Sequence, residues 1–389
     1  MTIAAGATSL GRREFLEQAG LVALFGVAGA LQFSIAVAQI LLGIAFVCWL
    51  TLVILEREQL EIPTFAWPLG AYAVLTLVST AFSPEPRVSL MACKQMVLFL
   101  IVPLVYRFAT GHRASTMVTV IVSFAAASAT VGIVQYAIFH YDNLGQRPQG
   151  TLGHYMTYSG LLMLVICASL ARVLFGRRER TWAALVMPAL AVAVVLTFTR
   201  SAWVGTCAAA ALLLTLKDFR LLAVLPIVAA LFIALAPPRV TARFVSMFDL
   251  NDPTSRDRVA MLREGAHMIE AHPIVGIGPN MVQPLYAQYR DPTAVQEVNP
   301  HLHNVPVQIA AERGIPALLA WLWFVGGLLV ALARRMRLED QRFLAATGLA
   351  VVVAMLAAGM FEYNFGDSEF VMLFLILVTL PFAAGRTAP

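Results

Sequence analysis

Apolar runs of about 18 residues, separated by short polar breaks, recur along the whole chain. Each is long enough to cross about 30 Å of hydrocarbon as a helix. They fall near 18–33, 35–55, 64–83, 90–107, 114–139, 155–175, 182–198, 201–216, 220–237, 306–333, 343–361 and 370–385. The pattern predicts an all-α, polytopic transmembrane protein of about twelve spans, with residues 1–389 as one membrane domain. Only 238–305 stays polar for long, and it is expected to be an external loop. Within it, "TSRDRVAMLREGAHMIEAHP" predicts an amphipathic helix capped by Thr254 or Ser255, with Asp257 in the first turn. Val259, Leu262, Ala266 and Ile269 recur at helical spacing as one apolar face, and Pro273 ends the run.

Composition and charge sharpen this picture. The chain is 60% hydrophobic and 13% charged, against about 25% charged in soluble proteins. Short cytoplasmic loops carry excess Lys and Arg. With twelve spans and the N-terminus inside, the inner segments hold Arg12/Arg13, Arg107/Arg113, Arg177/Arg178/Arg180, Lys217/Arg220 and Arg334/Arg335/Arg337/Arg342. The short outer breaks hold little: "SPEPR" has Arg87, and "FEYNFGDSEF" has no base. Twin arginines before Phe-Leu resemble an export signal, but here they are read as the inner anchor of the first span. The net charge of +5 is therefore mostly membrane anchoring, which excludes a nucleic-acid binder. Cys48, Cys93, Cys167 and Cys207 lie inside apolar runs without pairing or ligand spacing, and are read as small hydrophobes.

This threading collects the unusual residues on the outer side. Arg147 and His154 lie in "HYDNLGQRPQGTLGHYMTYSG", and Arg200 in the tight turn "TFTRSAWVG". The long loop adds Arg239, Arg243, Arg256, Arg258, Arg263 and Arg290, then "NPHLHN" with His301, His303 and Asn304. Glu362, Asp367 and Glu369 follow between the last two spans. Arg200 has almost no loop to carry it away, so it should face a cavity or a partner, with snorkelling to the interface as the alternative. The first turn of the loop helix presents Arg256 and Arg258 beside free backbone N–H groups, a combination suited to phosphate. A helix anchored on the membrane surface is the competing use of those arginines.

Arginine's planar fork binds phosphate oxygens bidentately and keeps its charge. A neutral histidine can take a proton from an attacking hydroxyl near pH 7. Together they suit glycosyl transfer from a lipid diphosphate, where fixed cations stabilise the growing charge of the leaving group. A metal route is not expected: there is no Asp-x-Asp pair and no His-Glu-x-x-His, and His301-x-His303 has no third ligand close in sequence. No Gly-x-Ser-x-Gly elbow marks a serine hydrolase. A transporter would place charges near the midplane on broken helices, whereas these charges sit at the outer edge.

At these residues the chain resembles the O-antigen ligase and polymerase superfamily of bacterial envelope proteins. The ligase pattern of His, then Asn, Ser or Gln, nine residues and Gly is met by His303-Asn304 and Gly314, while Ala317 departs from its last position. "RDRVAMLREGAHMIEAHPIVGIGPN" is similar to the family's Arg, helix, His-Pro, Gly-x-Gly segment, with Arg258 at the arginine and Leu262 where tryptophan is common. "TFTRSAWVG" is similar to the arginine after the seventh span. The resemblance implies a GT-C-like, inverting, metal-independent glycosyltransferase in the inner membrane of a Gram-negative bacterium, with its site facing the periplasm. It implies an undecaprenyl diphosphate-linked glycan as donor, lipid A-core oligosaccharide as acceptor, membrane lipids around it, and no cofactor. Arg200 and Arg258 would hold the diphosphate, with Arg256 and Arg147 near. His303 would act as base on the acceptor hydroxyl or orient it, and Asn304 would support the loop. His154 and His301 would stand close to substrate. The late acidic residue would be Asp367, with Glu362 its rival. A polymerase is the nearest alternative; relatives that transfer to protein usually carry a longer C-terminal portion.

Overall fold

The computed structural model describes residues 2–249 and 251–386, and the described residues form helices and no strands. Six helical segments are long and apolar enough to cross a membrane: Ile35–Leu55, Pro86–Phe108, His112–Ala137, Tyr155–Phe175, Val305–Arg335 and Arg342–Gly359. Ala66–Ala81, Arg180–Leu196, Phe219–Leu235 and Ser368–Ala384 are apolar but shorter. Thr2–Ala30 and Arg200–Lys217 are further helices of the bundle. Every expected run thus lies on a helix, while six satisfy length and apolarity together. The chain is a multi-pass membrane protein.

Burial grades from centre to rim. Tyr155–Phe175 and Arg342–Gly359 are each 72% buried, against 28% for Ile35–Leu55. The central helices pack closely because their facing positions are small: Ala345, Ala346, Ala350 and Ala354 on one, with Ala202 and Ala209 on Arg200–Lys217, all nearly inaccessible. Small side chains let helix backbones approach where lipid gives no hydrophobic drive. Peripheral helices instead leave Ile40, Ile44, Val47 and Ile54 exposed for lipid.

The run expected as one span at 306–333 is interrupted. Gly314 takes φ 81, ψ 167, which breaks Val305–Arg335 just before Pro316. A break inside a membrane helix frees backbone groups that need partners, and the segment after His272 supplies them. Ile277 and Gly278 donate to the Ala311 and Glu312 carbonyls at 2.9 Å each, and the Ile315 amide donates to the Pro273 carbonyl at 2.8 Å. A Cβ at Gly314 would stand 2.1 Å from the Ile274 oxygen, and one at Gly276 (φ 70) 2.3 Å from the Glu312 carbonyl. Both glycines are required by close backbone contact. Beside the break, the buried Glu312 and Arg313 pair at 2.7 Å, and Glu312 also accepts from the Asn280 amide at 2.8 Å.

The long polar stretch has its own small core of Met261, Met268, Ile277, Met281, Val282, Leu302 and Ala311. Its main helix is Pro253–Ala271, and the expectation about its cap is corrected. Asp252, two residues ahead of Thr254, is the cap, accepting from the Thr254 and Ser255 amides at 3.0 and 3.3 Å. The inward face is Asp257, Ala260, Met261, Glu264, Gly265 and Met268, while Val259 and Leu262 are exposed. Asp257 turns inward because its carboxylate accepts the Val295 and Gln296 amides at 2.9 and 3.1 Å. The apolar stripe expected from Val259 and Leu262 is present and faces outward.

Candidate active site

The polar positions ahead of Val305 converge on the end of Arg342–Gly359. Asn304 caps the helix with its Oδ1 on the Val307 amide at 3.0 Å, and its Nδ2 donates to the Met360 carbonyl at 3.1 Å. Its amide is thereby committed at both ends to protein partners, so Asn304 positions the loop rather than offering a free polar atom to substrate. Leu302 is fixed from the other side, its amide N–H donating to Gln308 Oε1 at 2.6 Å. Between them His303 adopts a left-handed backbone, φ 48. Its Nδ1 lies 3.0 Å from Glu362 Oε2. His301 is folded against it, ring centroids 4.2 Å apart, with Nε2 3.7 Å from Glu362 Oε1.

Electrostatics fix the roles in this trio. Burial pushes the Glu362 carboxyl up, but His303, then His301 and Arg258, outweigh it and hold the group at about 2. Glu362 is a carboxylate at neutral pH and can only accept. His303 Nδ1 must therefore be the donor, which in the neutral ring leaves Nε2 with the free lone pair. Burial, then the neighbouring His303, push His301 down to about 4, so it is uncharged near pH 7.

His303 and Glu362 line one wall of a polar cavity of about 230 Å³ whose other walls carry Arg147, Arg200, Arg243 and Arg258. Arg200 is 5% exposed, which rules out snorkelling. It donates to the Ser246 carbonyl and hydroxyl at 3.0 and 3.2 Å and to Asp252 at 3.3 Å. Asp252 thus ties the start of Pro253–Ala271 to Arg200. Arg258, one turn further on, stands 5.9 Å over the Phe361 ring and makes no side-chain hydrogen bond among the described residues. It is the cation most available to a ligand. Arg147 stacks on Tyr155 at 4.2 Å, and Arg243 donates to the Phe198 carbonyl at 3.4 Å. Burial, then Arg200 and Arg147, bring Arg243 down to about 10, and Arg258 is lowered by burial and Arg200 against the pull of Glu362. Four crowded, partly desolvated guanidiniums outnumber the three carboxylates near them, Asp252, Asp257 and Glu362, and suit an anionic ligand.

Not every expected residue arrives here. Arg256 is exposed and does not line this cavity. Asp367 caps Ser368–Ala384 through the Phe370 amide at 2.9 Å and accepts from Thr157. With His154, Tyr363 and Asn364 it lines a second cavity, whose wall includes His301 and Glu362. The carboxylate beside His303 is Glu362, the rival of Asp367. The two lie five residues apart on one loop, and nothing in the sequence tells which will face the histidine. A third cavity opens on the far side of Arg200, Arg258 and His303, lined by Met247, Val259, Leu262, Met360 and Phe361.

Reading the sequence also missed Arg243 and Tyr155 as site residues, because neither carries a spacing that singles it out. No third ligand is close to the histidines in sequence, but one stands beside them in space: His301, His303 and Glu362 place potential ligand atoms within 4.8 Å of one another. Fifty-nine residues separate His303 from Glu362, so spacing along the chain could not reveal it.

No curated protein sequence matches the chain. Residues 185–322, from within the helix Arg180–Leu196 through His303 and Gly314 to Leu322, match the family model for O-antigen ligase, and over that part the chain is similar to this family.

Proposed function

We propose that the protein is an O-antigen ligase that moves a glycan from undecaprenyl diphosphate to a hydroxyl of lipid A-core oligosaccharide, with inversion and without a metal. The observation that carries this reading is the cavity in which one histidine, oriented by a carboxylate, faces four arginines. The diphosphate takes Arg258 first, then Arg147 and Arg243. Arg200, held by Ser246 and Asp252, keeps a fixed charge beneath it. The third cavity, apolar and continuous with Arg200, Arg258 and His303, suits the start of a prenyl chain. The exposed Val259, Leu262, Met360 and Phe361 along it suit lipid rather than water.

In the reaction the acceptor oxygen forms a bond to the anomeric carbon of the first sugar as the bond from that carbon to the diphosphate oxygen breaks. The electron pair leaves with undecaprenyl diphosphate, where the arginines meet the growing charge. The hydroxyl proton passes to His303 Nε2, and Glu362 stabilises the imidazolium through Nδ1. Attack from the face opposite the leaving group inverts the anomeric centre.

The site faces the periplasm of a Gram-negative inner membrane in this reading, with twelve passes and both ends inside. Ion pairs support the threading. Arg107 joins Glu17 and Glu58, Arg177 joins Glu339, and Arg386 joins Glu61, all within segments assigned inside. Arg200–Asp252, Arg239–Asp142 and His303–Glu362 lie within segments assigned outside. The test is transfer by purified protein from a lipid-linked glycan to separately supplied acceptors, with and without EDTA. Mass gained only by lipid A-core oligosaccharide supports the ligase. Mass gained by a second lipid-linked glycan instead would make it a polymerase.

A further inference from the structure

The cluster of His301, His303 and Glu362 has a capacity that proton transfer does not use. The left-handed backbone at His303 brings two rings, one residue apart in sequence, onto a single carboxylate. His303 Nδ1 lies 3.0 Å from one Glu362 oxygen and His301 Nε2 lies 3.7 Å from the other. The second separation is too long for a hydrogen bond. Metal bonds of about 2.0–2.2 Å at tetrahedral angles hold neighbouring ligand atoms roughly 3.3 Å apart, between those two spacings. Two imidazoles and a carboxylate with a fourth position open form a donor set that zinc takes.

We propose that this cluster binds Zn²⁺, and that the bound ion switches the transferase off. The reason lies in which nitrogen is taken. Without metal, His303 carries its proton on Nδ1, facing Glu362, and Nε2 accepts from the acceptor hydroxyl. The ion takes the Nδ1 lone pair, so the proton of the neutral ring moves to Nε2, where the base has to be empty. The same ion draws the Glu362 charge away from the imidazolium. No bond of the substrate is involved, and nothing is oxidised or reduced. Binding stands on the three ligands alone, whereas inhibition rests on His303 being the base.

The experiment uses the full chain in detergent, stripped with EDTA and dialysed. Zn²⁺ binding is followed by competition with a chromophoric chelator, beside His301→Ala, His301→Gln and His272→Ala, each checked by a thermal melt. One site per chain is expected. It should weaken by more than about a hundredfold in both His301 variants, since even a partner behind a metal ligand is worth about 10–100-fold. His272→Ala, at an exposed position after Pro253–Ala271, should bind as wild type. Transfer by the wild type should fall as the site fills and return on adding EDTA. Equal affinity in the His301 variants, or no site in the wild type, overturns the proposal and leaves His303 as base untouched. Filling the site without loss of transfer overturns the switch. Activity lost with EDTA and regained with Zn²⁺ overturns the switch and the metal-free base together.

Discussion

Glu362→Gln isolates the contribution of the carboxylate to catalysis. The substitution keeps the shape of the side chain and removes its charge. In the native site Nδ1 donates to an ionised oxygen at 3.0 Å, and the carboxylate is held ionised by its surroundings. A hydrogen bond to a charged group is worth roughly 1.5–3 kcal/mol, which corresponds to about ten- to a hundredfold if all of it is felt in the transition state. Glutamine adds a second fault. Its NH₂ can donate to Nδ1 and force the proton onto Nε2; a histidine held in the wrong tautomer by such a carboxylate-to-amide change costs about 10⁴ in turnover in a serine protease. The expected loss in single-turnover rate is therefore about 10–10⁴-fold. Donor binding should change far less, because Arg258 and its neighbours remain. Asp367→Asn, the control on the same loop, should lose less than Glu362→Gln because Asp367 contacts Thr157 and its own helix. The assay is single-turnover transfer with saturating donor, beside equilibrium binding of the donor lipid. Wild-type turnover in Glu362→Gln, a defect confined to donor binding, or a larger loss in Asp367→Asn would refute the reasoning.

Arg258→Lys should weaken donor binding by about ten- to a hundredfold with little change in melting temperature, since a point charge replaces a fork that makes no side-chain hydrogen bond among the described residues. Arg200→Lys should lower both, because the bonds to Ser246 and Asp252 are lost with it; equal melts for the two variants would contradict the assigned roles. Asn304→Ala removes a helix cap worth about 0.5–2 kcal/mol and leaves the Met360 carbonyl without its donor, so the melt should drop and turnover fall with it. Burial pushes the Asp252 carboxyl up, but Arg200 and the Thr254 and Ser255 groups outweigh it and hold it below its usual 3.8. Its contribution to stability is then full above about pH 4 and lost as pH falls through the lower folded value. The acid limb of a melt-versus-pH curve should flatten in Asp252→Asn. Cysteines placed at the exposed Asn251 and Gln296 should react with an impermeant thiol reagent in intact cells; labelling only after the inner membrane is opened would reverse the orientation.

The class of this protein was determined by composition and run length, because a bilayer demands long apolar helices whatever surrounds them. Arg200, Arg258 and His303 were likewise legible, since a cation in a tight turn, a cation in a helix's first turn and a histidine before a span each break a local rule. Local rules failed where tertiary contacts choose between neighbours. The spacing of Val259 and Leu262 marks an apolar face but not where it points; the bonds of Asp257 to the 295–296 amides turn that face outward. Gly314 and Gly276 were visible only as motif letters, and their necessity lies in two backbones within van der Waals contact. Glu362 and Asp367 carry the same charge on the same loop, and only the packing of Arg342–Gly359 against the loop at Asn304 decides which carboxylate meets His303. The sequence determined which candidate groups the chain carries. The tertiary structure decided which of those groups touch, because that depends on helix rotation and loop closure, each set by contacts tens to hundreds of residues away.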